Sequence, residues 1–398
     1  GRVFPPCGGE RRSAAPTAGA DVQSGTMTAS TRAAEPNGRQ ASSVGAHAEK
    51  TMNSTNPSSN AIPAGATGTM RALYKHHAGP GLKLDPKRPI PAIGPRDVLV
   101  RVTHAGICGT DRHIWEWDHW AANRIPVGIV TGHEFVGVVE RVGSAVGDKV
   151  KVGRRVSAEG HICSWTDYNA RTGNAHIARD TKILGVDRDG VFAEFVSVPE
   201  ENIWPVHPKI PDHLAAVLDP LGNAVHTVMS ANVSAKTVLI TGVGIIGLMA
   251  VTVAKCAGAS RIFVTDVDEK RLKLARKLGA VEAYKANDPK WIEKVRAETR
   301  GDGPDVLLEM SGNPNAIDDG FRALRMGGTA ALLGIPSRPI SFDLSNHVIF
   351  KGATVLGING RRMFETWYQM EEMLLSGRLE LDEIVTHQIR LEDFAEGF

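Results

Sequence analysis

The segment Thr237-Val238-Leu239-Ile240-Thr241-Gly242-Val243-Gly244-Ile245-Ile246-Gly247 constrains the fold more than any other stretch. A run rich in β-branched residues passes directly into Gly-x-Gly-x-x-Gly and then into a helix-forming sequence. Gly242 permits a tight turn, Gly244 lets a backbone approach a pyrophosphate, and Gly247 lets helix and strand pack closely. The helix that follows offers unpaired N–H groups and a favourable dipole to phosphate. A glycine triplet alone is weak, but the strand before it and the helix after it are the context such a site requires.

The same alternation continues downstream. Strand Thr237–Thr241 leads to helix Ile246–Ala257, strand Ile262–Asp266 to helix Glu269–Leu278, and strand Asp305–Met310 to helix Asn315–Arg325. Strands Thr329–Gly334 and Thr354–Ile358 follow. Repeated βα units predict an α/β region with a Rossmann-like, doubly wound parallel sheet. Asp266 closes the second strand, 19 residues past Gly247. An acid there accepts hydrogen bonds from a ribose 2′-hydroxyl and repels a 2′-phosphate, which favours NAD over NADP. Arg271 lies near enough to tolerate that phosphate.

Between Met70 and about Ile203 the texture differs. Asp97–Val102 alternates as a half-buried strand does, and strand-like runs recur at Phe135–Val139, Arg155–Val156 and Phe192–Val196. Short strands broken by glycine predict a β-rich, barrel-like domain. Within it, Cys108-Gly109-Thr110-Asp111-Arg112-His113 and Gly132-His133-Glu134 gather a thiol, imidazoles and carboxylates. A catalytic zinc takes about three protein ligands and keeps one open position. Cys108 and His133 fit, with an acidic third ligand from Glu134 or Asp219. Such a metal lowers the pKa of an alcohol, and Thr110 with His113 forms a hydroxyl–imidazole route for the proton.

These blocks together resemble the zinc-containing medium-chain dehydrogenase family from about Met70 to Phe398. Further matching blocks are His113–Asp118, Asp219–Thr227, Leu308–Gly312, Leu333–Pro336 and Met363–Tyr368. The resemblance implies a GroES-like β-rich catalytic domain over 70–219, completed by 360–398, and an NAD-binding Rossmann domain over 220–359. It implies zinc ligands Cys108, His133 and Glu134, with Asp219 beside the metal as ligand or relay partner, and a Thr110–His113 relay. Cofactor contacts carry over to Ile246, Asp266, Arg271, the loop Leu333-Gly334-Ile335, and Ile358-Asn359, where Asn359 replaces the aromatic common in relatives. The Met363–Tyr368 block implies oxidation of the 3-hydroxyl of L-threonine by NAD; a sorbitol- or butanediol-type activity is the nearest alternative, and a zinc-free quinone-reductase-like protein a more distant one. A homotetramer is also implied.

One departure is expected to matter. Relatives hold a second, structural zinc with four cysteines, and the corresponding positions here are Ser164, Asp167, Ala170 and Ala178. The expectation is therefore one zinc, with Trp165, Tyr168 and Ile177 packing where the second would sit. His161 and Arg361 are candidates for gripping the substrate's charged groups. Leu391–Phe398 reads as the start of an amphipathic helix, and the chain is expected to continue beyond it.

Composition narrows the rest. Lys and Arg total 46 against 44 Asp and Glu, so no polyanionic partner is predicted, and no basic cluster with aromatics marks a nucleic-acid site. No apolar run is long enough to span a bilayer. Four scattered cysteines, Cys7, Cys108, Cys163 and Cys256, point to a reducing compartment, hence the cytoplasm. Residues 1 to about 69 are poor in large apolar side chains and are expected to be disordered, with Met70 the expected start.

Overall fold

The computed structural model describes residues 68–398. The disorder expected for 1–69 falls almost wholly outside them, as does Cys7. Two large sheets organise what is described.

The first sheet has six parallel strands. In spatial order they are Glu282–Lys285, Arg261–Asp266, Thr237–Thr241, Val306–Glu309, Thr329–Leu332 and Thr354–Gly357. In chain order this is 3-2-1-4-5-6, the doubly wound order that reverses between the first and fourth strands. Side chains alternate across it. Val238, Ile240, Ile262, Val264, Val306 and Leu308 face one helical layer. Leu239, Phe263 and Leu307 face the other. Both faces are covered, so these strands read as continuous apolar runs. Helices Leu218–Ser230, Ile245–Cys256 and Glu269–Leu278 cover the first face; helices Trp291–Glu298 and Pro314–Ala323 cover the second.

The second sheet is antiparallel, in the order Phe195–Pro199, Asp97–Gly106, Glu134–Val142, Arg155–Ala158 and Ile203–Pro205. Val98, Val100, Phe135, Val139, Val156, Val196 and Val198 form its core. Register brings the chemistry together here. Gly106 pairs with Glu134 and Ala105 with Phe135, so the end of one strand lies beside the start of the next. Cys108 follows the first strand and His133 precedes the second. A register slip of one residue would turn every side chain of the strand to the other face and scatter the site.

Several expectations shift. The fourth antiparallel run is Phe195–Pro199 rather than Phe192–Val196. Strand Glu282–Lys285 and helix Trp291–Glu298 lie between predicted elements and carry little periodic signal. The segment from Leu391 forms a 3-10 run to Glu396, not an α-helix, and Phe394 and Phe398 set their rings against Trp115. Among the described residues, no helix is long and apolar enough to cross a membrane.

Candidate metal and cofactor site

Helix Gly109–Glu116 begins on Cys108, whose N–H donates to the Asp111 carboxylate at 2.9 Å. The ligand atoms of Cys108, His133 and Glu134 all lie within 4.8 Å of one another. Gly106 makes room for this, because a Cβ there would press on Glu134. His133 Nδ1 and Asp111 Oδ1 are both buried without a hydrogen-bond partner, 3.8 Å apart. A carboxylate set behind a histidine in this way orients it as a metal ligand through the other ring nitrogen.

The electrostatics ask for a cation. Burial pushes the Cys108 thiol up to about 11, with Asp111 and Asp219 adding to the effect. Burial also raises Glu134 well above the usual carboxylate range, and Cys108 and Asp219 reinforce it. Burial raises Asp111 too. Burial opposes the charged form of His133, but Asp111, Asp219 and Glu134 outweigh it and its pKa rises. Three acidic side chains and a thiol crowd one imidazole. A divalent cation on Cys108, His133 and Glu134 relieves that crowding, so the donor set fits zinc.

Asp219 stands in the first turn of helix Leu218–Ser230 and reaches Arg361 Nη1 at 2.5 Å. Arg361 also donates to Glu159 from Nε (2.9 Å) and Nη2 (2.5 Å). Glu159 further accepts from Trp367 Nε1 at 2.8 Å and from the His161 backbone N–H at 2.9 Å. Arg361 is only 2% exposed. The expectation that it grips substrate is thus corrected: both faces of its guanidinium are spent on buried carboxylates. Gly222 admits it, since a Cβ there would meet Arg361 Cγ and Cδ at 2.6 Å. His161 Nδ1 lies 2.8 Å from Glu159 Oε1.

The Cys108 thiol donates to Thr110 Oγ1 at 3.8 Å. His113, one helical turn on, is exposed and pairs through Nδ1 with Asp118 Oδ2 at 2.6 Å. The two lie on one helix face but are not hydrogen-bonded to each other.

At the point of strand reversal, Gly242 takes φ +85° and packs on Ser311, while Gly247 packs on the Gly242 carbonyl. Gly244 caps helix Ile245–Cys256, and a Cβ there would meet no protein atom. Protein packing alone does not demand that glycine; a cradle left open to a ligand does. Asp266 is 7% exposed. Its Oδ2 accepts from Val243 N–H at 2.7 Å and its Oδ1 from Asp268 N–H at 2.9 Å. Asp268, not Asp266, caps helix Glu269–Leu278. Arg271 and Asn359 are exposed; Ile246, Leu333, Gly334 and Ile358 are half-buried; Ile335 is 89% exposed.

The lobe between His161 and Ile183 differs from expectation. Trp165, Tyr168 and Ile177 are exposed. Ala170, Ala175 and Ala178 instead close on Met363, with Cys163 and Phe364 against them. Trp165 stacks on the outer side of this cluster, against the Phe364 ring, with centroids 6.4 Å apart. Sequence reasoning also passed over Glu159 and Trp367; the indole at Trp367 was visible only as part of a matching block.

Fold and site together define a two-sheet dehydrogenase with a metal centre. Residues 94–209 match the alcohol dehydrogenase GroES-like domain, and residues 246–376 match zinc-binding dehydrogenase. The chain belongs to the zinc-binding dehydrogenase family, with a GroES-like part and a Rossmann-type part. An L-threonine 3-dehydrogenase from Symbiobacterium thermophilum is 50% identical over 325 residues, spanning 81% of this chain and 92% of its own. A zinc-binding dehydrogenase from Sinorhizobium meliloti 1021, solved bound to NADP, superposes with TM-score 0.71 at 28% identity over 79% of this chain and 91% of that one. An alcohol dehydrogenase from E. coli CFT073, solved with NADH, gives TM-score 0.76 at 25% identity over 83% of this chain and 94% of that one.

Proposed function

We propose that this protein oxidises the 3-hydroxyl of L-threonine with NAD, giving 2-amino-3-oxobutanoate, NADH and a proton. The observation that carries the reading is the convergence of Cys108, His133 and Glu134 within 4.8 Å in a chain half identical to an L-threonine 3-dehydrogenase. Zinc held by these three side chains supplies Lewis acidity that makes the substrate hydroxyl easier to deprotonate. Asp219 stands beside them, its orientation fixed by Arg361.

The chain's own groups do the remainder. Thr110, next to Cys108, takes the hydroxyl proton as it gives up its own, and across a bridging hydroxyl that proton reaches His113, which passes it to solvent. The Asp118 carboxylate holds His113 Nδ1 and leaves Nε2 free to accept. The glycine turn Gly242–Gly247 and the helix N-terminus cradle the pyrophosphate. Asp266 holds the adenosine ribose and disfavours a 2′-phosphate. Arg271, Leu333-Gly334-Ile335, Ile358 and Asn359 line the rest of the crevice. We further read 70–219 with 360–398 as the catalytic domain, 220–359 as the NAD domain, and the assembly as a cytoplasmic homotetramer with one zinc per chain.

The test is NADH formation from L-threonine, its stereoisomers, 2,3-butanediol and sorbitol. L-threonine is expected to be strongly preferred. A preference for either polyol would replace the substrate assignment, and activity indifferent to chelation would remove the zinc. Asp266→Ser is expected to narrow the preference for NAD over NADP; an unchanged preference would sink the role given to Asp266.

A further inference from the structure

At the base of the cofactor crevice lies a buried acid with no part in the chemistry above. Glu309 ends strand Val306–Glu309, beside the point of strand reversal, and is fully buried. Its Oε1 accepts from Ser311 N–H (2.9 Å), Ser311 Oγ–H (2.5 Å), Gly312 N–H (3.2 Å) and Thr241 Oγ1–H (3.5 Å). Its Oε2 accepts from Gly312 N–H at 3.1 Å. Its backbone carbonyl accepts from Leu333 N–H at 2.9 Å and Gly334 N–H at 3.1 Å. One residue thus bonds two separate turns and touches the strand that carries the glycine fingerprint.

The surrounding backbone shows how tightly the three are set. Gly312 takes φ +65°, and a Cβ on it would strike the Ile335 backbone. A Cβ on Gly242 would strike Ser311 Cβ at 2.6 Å. The two turns therefore rest on each other, and the Ser311 turn also on Gly242, with the Glu309 carboxylate against Gly334 and Gly312. Burial raises the Glu309 carboxyl above its usual range, and the hydroxyl and backbone donors of Ser311, Gly312 and Thr241 oppose that rise. A group that is acceptor on every lone pair suits such a ring of donors, and an amide would turn N–H against N–H at Gly312.

We infer that Glu309 is a positioning residue for the nicotinamide cofactor: it sets the spacing of the Ser311–Gly312 and Leu333–Ile335 turns about the crevice. The inference rests on reading that crevice as the cofactor site. Burying a charge without a counter-ion is costly, and a structure retains one where its geometry is needed.

The test compares Glu309→Gln and Glu309→Ala with the unmodified full chain by NADH fluorescence titration, steady-state kinetics and thermal melting. Thr299→Val is the control. Thr299 is also buried, donates to Val295 O at 2.8 Å and accepts from Gly303 N–H at 3.1 Å, on the loop leading into the same strand from its other end. Glu309→Ala is expected to raise the Kd for NADH and the KM for NAD about tenfold or more, with a smaller rise for Glu309→Gln. The KM for the alcohol, at saturating NAD, is expected to hold. Should Glu309→Ala not fold, Glu309→Gln carries the comparison. Unchanged NADH binding in the folded variants, or an equal rise in Thr299→Val, would overturn the inference. Failure of the unmodified chain to bind NADH would overturn the crevice reading itself, and this inference with it.

Discussion

Arg361 and Asp219 meet at 2.5 Å in an interior where Arg361 is almost fully excluded from water. Asp219 belongs to the helix that packs on the parallel sheet, and Glu159, the second carboxylate on Arg361, follows a strand of the antiparallel sheet. The guanidinium therefore ties an element of the parallel-sheet layer to one of the antiparallel sheet.

Replacing Arg361 by Met should leave two buried carboxylates, Asp219 and Glu159, without the guanidinium that neutralises them. Breaking such a pair from one side costs about 3–5 kcal/mol. Urea denaturation should show that loss in Arg361→Met, and Asp219→Asn should recover part of it in the double variant. Additive losses would mean the two residues are not coupled.

Asp111 has no direct claim on the metal, but it faces His133 Nδ1 at 3.8 Å with neither atom otherwise bonded. Asp111→Asn should weaken zinc binding about 10–100-fold, measured by competition with a chromogenic chelator. Metal analysis of the unmodified chain should give one zinc per chain. Two would refute the reading that the lobe has lost its metal.

Much of this was legible beforehand, and the divide follows chain distance. Strand Thr237–Thr241 and helix Glu269–Leu278 appear with the bounds their local pattern predicts. The cluster of Cys108, His133 and Glu134 was legible because each sits in a short block with its neighbours. Glu159 was not, because its donors Arg361 and Trp367 arrive from some 200 residues away. Gly222 held a signal for Arg361: a glycine inside a helix marks the close approach of something. Strand Glu282–Lys285 escaped notice because only Ala283 of its four residues is buried.

His176 is buried, with its Nδ1 unpartnered, and meets the His226 ring edge to face at 5.4 Å. Burial lowers its pKa to about 4, with His226, His161 and Arg362 adding to the effect and Glu159 opposing it. Burial lowers His226 as well, against the pull of the Gly360 carbonyl. The unfolded chain binds protons that the folded chain refuses between about pH 6.5 and 4. Stability should therefore fall as pH drops through that window. His176→Phe should flatten this part of the Tm–pH profile by about 2–4 °C. An unaltered profile would count against it.

Lys75 is buried without a carboxylate, donating to Ile114 O at 2.7 Å and Gly81 O at 2.9 Å beneath the Trp117 ring. It thereby holds the end of the helix that carries Thr110 and His113. Burial lowers its pKa to about 8. The unfolded chain keeps the proton up to about 10.5, so stability should rise with pH between these values. Lys75→Met should abolish that rise and cost about 1–3 kcal/mol at neutral pH. A rise that persists in the variant would assign it to another group.

The alanine cluster of the lobe carries a thermal consequence. Ala170, Ala175 and Ala178 hold Met363 by apolar contact, and such contact weakens on cooling because its driving force near room temperature is entropic. A thiolate–metal bond has no such dependence. Packing in this lobe should therefore weaken on cooling, and to the same extent with or without a chelator.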